Sequence, residues 1–152
     1  MKKLLFLLAL GLHLTACDKT TDSGPAAVAA PFNQAFELRY QQAARLPAGT
    51  APELTIAVTD LAYSFCPPNA RCIAPDYVDP TLRITDARGQ SQFLTLPVRP
   101  RRLYHPDWID TASIRANGRR YVVYYTKWDV NKAATSPQQE HIAVSLRVTK
   151  PD

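Results

Sequence analysis

A chain of 152 residues has room for one domain of ordinary size with a sizeable hydrophobic core. Its 18 Lys and Arg against 13 Asp and Glu give a net charge of +5, and twelve of the cations are arginines. So mild an excess does not argue for nucleic acid as a partner.

Chain order begins with a leader. Lys2 and Lys3 form a positive start, and Leu4 to Leu14 form an apolar run interrupted by Gly11 and His13. Small residues Thr15 and Ala16 then precede Cys17, as a secretory signal requires. The run is too short to span a bilayer, which takes about 20 apolar residues. Leu14-Thr15-Ala16-Cys17 resembles the lipobox of bacterial lipoproteins. The resemblance implies that the Cys17 thiol receives a diacylglycerol, that residues 1–16 are cut away, and that the freed amine is acylated, palmitate being a typical chain. Two or three acyl chains anchor stably where one binds marginally, at roughly 0.8 kcal/mol per buried CH₂. The alternatives are an ordinary signal peptide cut before a cysteine, or a short buried helix.

The expected address is therefore the bacterial cell envelope, exported and held to a membrane by lipid on Cys17. Asp18 resembles an inner-membrane retention signal used by some Gram-negative lineages. Loss of the leader removes Lys2 and Lys3 and leaves 16 cations against 13 anions, or +3.

Three cysteines raise the question of a free thiol in an exported protein. Lipidation removes Cys17 from the count and leaves Cys66 and Cys72 to pair in an oxidising compartment. Closing that seven-residue loop stabilises by roughly 2.4 kcal/mol in the chain-entropy model. The competing Cys-x5-Cys metal site lacks further cysteines or a nearby histidine to complete four ligands.

Residues 17–32 are polar, then rich in Ala and Pro, without a period that buries a face, and are expected to form a flexible tether spanning roughly 20 Å. Residues 33–152 form the domain. Phe36, Leu38 and Tyr40 alternate with Glu37 and Arg39. Leu54, Ile56 and Val58 alternate with Thr55 and Thr59, and the phase resumes at Leu61, Tyr63 and Phe65, so a bulge is expected near Asp60. Cys66-Pro67-Pro68 stops that strand. Thr81 to Thr85 and Gln92 to Val98 predict a hairpin across Asp86 to Gly89.

Asn117-Gly118 suits a two-residue type I′ turn, which sets Ile114 opposite Tyr121 and Arg115 opposite Arg120. Two facing arginines are unfavourable unless an anion, a carboxylate or water separates them. Tyr121 to Trp128 is apolar on both faces, as in the middle of a packed sheet. The last strand buries Ile142, Val144, Leu146 and Val148, with His141, Ser145 and Arg147 on the other face. Ala43 to Leu46 and Pro106 to Thr111 could each form one helical turn. The prediction is an all-β fold, an antiparallel sandwich or open barrel of six to eight short strands.

The order Phe36-x-Leu38, Gln42-Ala43-Ala44-Arg45-Leu46, an apolar strand, a Cys66-Pro67 loop closed by Cys72, and Val144-x-Leu146-x-Val148-x-x-Pro151 is similar to a group of small single-disulfide bacterial lipoproteins of uncharacterised function. Ala74-Pro75-Asp76-Tyr77 departs from that pattern. The resemblance implies location and fold, and it carries no catalytic residue.

For an enzyme the residues offer little. No Gly-x-Ser-x-Gly elbow is present, and the mature chain holds only His105 and His141. His105, Asp107 and Asp110 lie close in sequence and with His141 could ligate zinc, which gives a metal-dependent enzyme as one alternative. The plainer reading is a surface loop with Trp108 plugging the sandwich end. No cofactor is expected.

Two binding surfaces compete. Arg99, Arg101, Arg102 and Tyr104, joined by Arg115, Arg119 and Arg120, would suit an anionic glycan or lipid head group. Alternatively these arginines only keep a strand edge from pairing. The Cys66 to Cys72 loop is the other surface, pre-ordered by its disulfide and prolines. Arg71 in it could enter a trypsin-like pocket, making the protein an envelope protease inhibitor, or the loop could be only a stapled turn. The combined expectation is a non-enzymatic envelope protein that binds another envelope protein or an anionic glycan.

Overall fold

The structure is a computed structural model that describes residues 26–67, 69–98, 107–131 and 137–150. Among these the fold is an all-β sandwich of nine strands with no α-helix. One sheet contains β1 (Val28–Ala29), β3 (Ala43–Leu46), β4 (Leu54–Ser64), β5 (Tyr77–Asp86) and β6 (Ser91–Thr95), in the order β1-β3-β4-β5-β6. The other contains β2 (Ala35–Arg39), β7 (Asp110–Ala116), β8 (Arg119–Val130) and β9 (Ile142–Thr149), in the order β2-β9-β8-β7. All pairings are antiparallel except β1 with β3.

Alternation decides which side chains meet between the sheets. Leu54, Ile56, Val58, Leu82 and Ile84 from the first sheet and Phe36, Leu38, Tyr121, Val123, Tyr125, Ile142, Val144, Leu146 and Val148 from the second are all buried. The expected bulge in β4 falls between Val58 and Asp60, and it lets Leu61 return to the core. The β7–β8 hairpin turns at Asn117 (φ 51°) and Gly118 (φ 73°), with Ile114 opposite Tyr121 and Arg115 opposite Arg120. β8 and β9 are the interior strands of their sheet: Tyr121, Val123 and Tyr125 are buried, a bulge between Tyr125 and Lys127 brings Trp128 and Val130 back against the core, and Val122 and Tyr124 are half-buried on the outer face.

Three expectations are corrected. Ala43 to Leu46 is strand β3, because Ala44 and Leu46 are fully buried when paired with Ile56 and Leu54. Part of the segment assigned to the tether is ordered: Val28 and Ala29 pair with Ala44 and Arg45, and Ala30 is buried. These two additions bring the strand count to nine. Trp108 does not plug the end of the sandwich. It is half-buried and meets Tyr124 edge-on at 5.4 Å, on the outer face of the second sheet.

The sandwich has two unlike ends. At the hairpin end lie the β5–β6 turn, the β7–β8 turn, and the residues around Phe32, Glu53 and Lys150. At the loop end lie the Cys66 to Cys72 loop, Val98, Asp107 and the segment that leads into β9.

Candidate functional site: an arginine cleft at the hairpin end

Asn117 takes its left-handed conformation at the tip of the hairpin, and its side chain joins the two sheets. Its Nδ2 donates to the Glu53 carbonyl at 2.8 Å, and its Oδ1 accepts from the Ala87 N–H at 3.2 Å. Glu53 is the hub beneath it. One carboxylate oxygen accepts from the Lys150 ammonium at 2.8 Å and the other from the Tyr121 hydroxyl at 2.9 Å. The Lys150 hydrogen bond holds the Glu53 carboxyl below its ordinary value against the opposing effect of desolvation, with help from Tyr121 and the charge of Arg119. Burial raises the Tyr121 phenol, and the Glu53 carboxylate adds to the effect.

Above this hub is an open cleft of about 820 Å³ lined by Phe32, Asn33, Asn117, Gly118, Arg119, Arg120 and Lys150. Phe32 is its one aromatic lining residue: the ring stacks on the buried Tyr121 at 5.8 Å, and the Lys150 ammonium lies 5.7 Å over it. A smaller cleft of about 360 Å³ shares Asn117 and Gly118 and is lined on its far side by Asp86, Arg88, Gln92 and Arg115.

The charge is unbalanced. Arg115, Arg119 and Arg120 are exposed, and none has a carboxylate within ion-pair distance among the described residues. Arg120 donates from Nε and Nη2 to the Ser113 hydroxyl at 3.0 and 2.6 Å, which directs its guanidinium along β7 without neutralising it. Like charges directly opposite on paired strands repel, so a bound anion between them would relieve the hairpin.

At the loop end, Cys66 and Cys72 form a disulfide with Cα atoms 5.8 Å apart. The Cys66 N–H donates to Asp76 Oδ1 at 2.7 Å and the Ala70 N–H to the Pro67 carbonyl at 3.1 Å. Arg71 is exposed and makes no hydrogen bond or ion pair with the described residues, and Ile73 beside it is fully exposed.

Cys17, Arg99, Arg101, Arg102, Tyr104 and His105 lie outside the described residues. The described flanks of that arginine segment, Val98 and Asp107, are at the loop end, whereas Arg115, Arg119 and Arg120 are at the hairpin end, separated by the length of β7. His141 Nδ1 accepts from the Gln138 N–H at 3.0 Å. Among the described residues no three His, Cys, Asp or Glu side chains are grouped as metal ligands.

Phe32, Asn33, Glu53 and Lys150 carry no local signal in the sequence. They become a site only because the sheets bring residues about a hundred positions apart together, as in the Lys150–Glu53 pair. The facing arginines are the part of this end that local sequence shows. No family model, curated protein or solved structure matches the chain.

Proposed function

We propose that this is a lipid-anchored, non-enzymatic protein of the bacterial cell envelope that binds an anionic glycan in the cleft at the hairpin end. The observation that carries the binding half is the cations lining the cleft, Arg119, Arg120 and Lys150, of which Arg119 and Arg120 have no carboxylate within ion-pair distance among the described residues, while Arg115 faces Arg120 from the neighbouring smaller cleft. Guanidinium groups bind carboxylate and phosphate through paired N–H donors, and the Lys150 ammonium on the same cleft adds a further cation. The lipid anchor is supported by Lys2-Lys3, the apolar run and Leu14-Thr15-Ala16-Cys17.

Titration of the mature protein with an oligouronate, and with a neutral oligosaccharide of equal length, tests the binding half. Binding of the oligouronate alone is expected. It should weaken by on the order of ten-fold or more in Arg119→Ala/Arg120→Ala, since hydrogen bonds to charged groups contribute about 1.5–3 kcal/mol each. Equal affinity in wild type and variant would refute the cleft as the binding site.

Arg71 supports a second reading, because it stands exposed on a disulfide-closed loop. A protease inhibitor would block a trypsin-like enzyme at nanomolar concentration and lose that inhibition in Arg71→Ala. Absence of inhibition would remove this reading.

A further inference from the structure

We infer that the loop end of the sandwich rests on the lipid surface that holds the Cys17 anchor, through Ile73, Tyr77 and Val98 beside Arg71, and that the arginine cleft faces away from it. The inference rests on the lipid-anchored reading and adds an orientation to it.

The first support is where apolar surface is exposed. Ile73 is fully exposed, Val98 is 54% exposed and Tyr77 is 42% exposed, and all three lie at the loop end. Phe93, 69% exposed, stands on the outer face of β6 opposite Arg83, away from the loop end. Ile73 follows a loop closed by the Cys66–Cys72 disulfide and tied back through Asp76, so its side chain is held outward before any contact forms. Pre-ordering of this kind lowers the entropy lost on docking. Apolar and tyrosine side chains at a protein tip, with a cation beside them, match the chemistry of the boundary between head groups and acyl chains.

The second support is the path of the chain. The Gln42 side chain donates to the Ala26 carbonyl, and the Val58 N–H donates to the Gln42 carbonyl, so Ala26 sits level with Val58. β1 runs parallel to β3, towards the hairpin end, so the chain enters the domain from the side of the loop end. From Val58, β4 continues towards the loop end as far as Ser64, a distance of about 20 Å at the usual rise per residue. The nine peptide steps from Cys17 to Ala26 span at most about 32 Å of covalent chain. A lipid surface held at Cys17 is therefore within reach of Ile73, and it is the direction of entry, not the length of the chain, that favours the loop end.

The mature acylated protein, reconstituted into phosphatidylcholine vesicles containing phosphatidylglycerol and a phospholipid with a photoreactive acyl chain, tests this. After irradiation, peptides bearing Ile73, Tyr77 and Val98 should carry most of the lipid adducts and those bearing Phe32 and Arg119 few, since only side chains that reach the acyl region are labelled. Ile73→Glu, at a position where the side chain contacts nothing, should keep the unfolding midpoint and lose most adducts on that loop. Equal labelling of both ends, or labelling concentrated on the arginine hairpin, would overturn the orientation and leave the anchor standing. An intact mass showing Cys17 without acyl groups would overturn both.

Discussion

Two carboxylates illustrate how opposite surroundings set opposite pH dependence. Glu53 is held below its ordinary value by the Lys150 hydrogen bond, aided by Tyr121 and Arg119 against desolvation. Its contribution to stability is therefore present above the unfolded carboxylate pKa of about 4.3 and is lost as pH falls through the lower folded value. Glu53→Gln should lower the denaturation midpoint at pH 7, and its deficit should shrink as pH is taken down through that window. A deficit that stays constant to acid pH would mean that charge is not what holds Glu53. Asp79 is the reverse case, because burial raises its carboxyl. Its ionised form opposes folding at neutral pH, and the penalty disappears as pH falls from the raised folded value to below the unfolded value of about 3.9. Asp79→Asn should raise the midpoint at pH 7 and match wild type in strong acid. A lower midpoint at pH 7 would contradict this.

At the scale of elements, the β7–β8 hairpin is the point where local and long-range causes meet. Asn117 supplies the left-handed turn and two hydrogen bonds to the other sheet, to the Glu53 carbonyl and from the Ala87 N–H. Asn117→Ala should cost about 2 kcal/mol, at roughly 1 kcal/mol per lost bond, with the strained backbone adding to it. Urea denaturation measures this, and a loss within error of zero would show that the sheets are not tied there. The disulfide loop is a second element that can be tested separately. Cys66→Ser/Cys72→Ser should destabilise by roughly 2.4 kcal/mol, from closure of a seven-residue loop, and addition of reductant should reproduce the loss in the wild type.

These elements differ in how legible they are in the sequence. The turn and register at Asn117-Gly118, the β4 bulge and the core face of β9 follow from local periodicity and turn chemistry, and they stand as expected. Ala43 to Leu46 does not, because four residues cannot display a period. Its Ala-rich composition suits a helix, whereas burial of Ala44 and Leu46 against β4 makes it a strand. Val28 and Ala29 become a strand only because the edge of β3 offers them partners. β5 begins at Tyr77 and not Thr81, with Pro80 opposite Leu61, because a proline in a strand is read as a boundary until its neighbours are known. The ring stacking beneath the cleft was hidden for the same reason: Phe32 reaches Tyr121 only once both sheets exist.

For the molecule as a whole, the two ends of the sandwich differ in character. The loop end carries the stapled Cys66 to Cys72 loop and the exposed apolar tips, and the hairpin end carries the arginines. In the proposed orientation, with the loop end on the membrane, the cleft would open towards soluble or cell-wall anions and not towards lipid. The same orientation shields Arg71 from a soluble protease, so the glycan-binding and inhibitor readings predict different accessibility of that side chain. The orientation depends on lipid at Cys17. Intact mass spectrometry of the protein purified from its native envelope tests that most directly. The expected mass is that of residues 17–152 plus a diacylglyceryl group, with or without a further acyl chain on the amine. A polypeptide that retains residues 1–16, or that begins at Cys17 without lipid, would contradict the anchor and the orientation built on it.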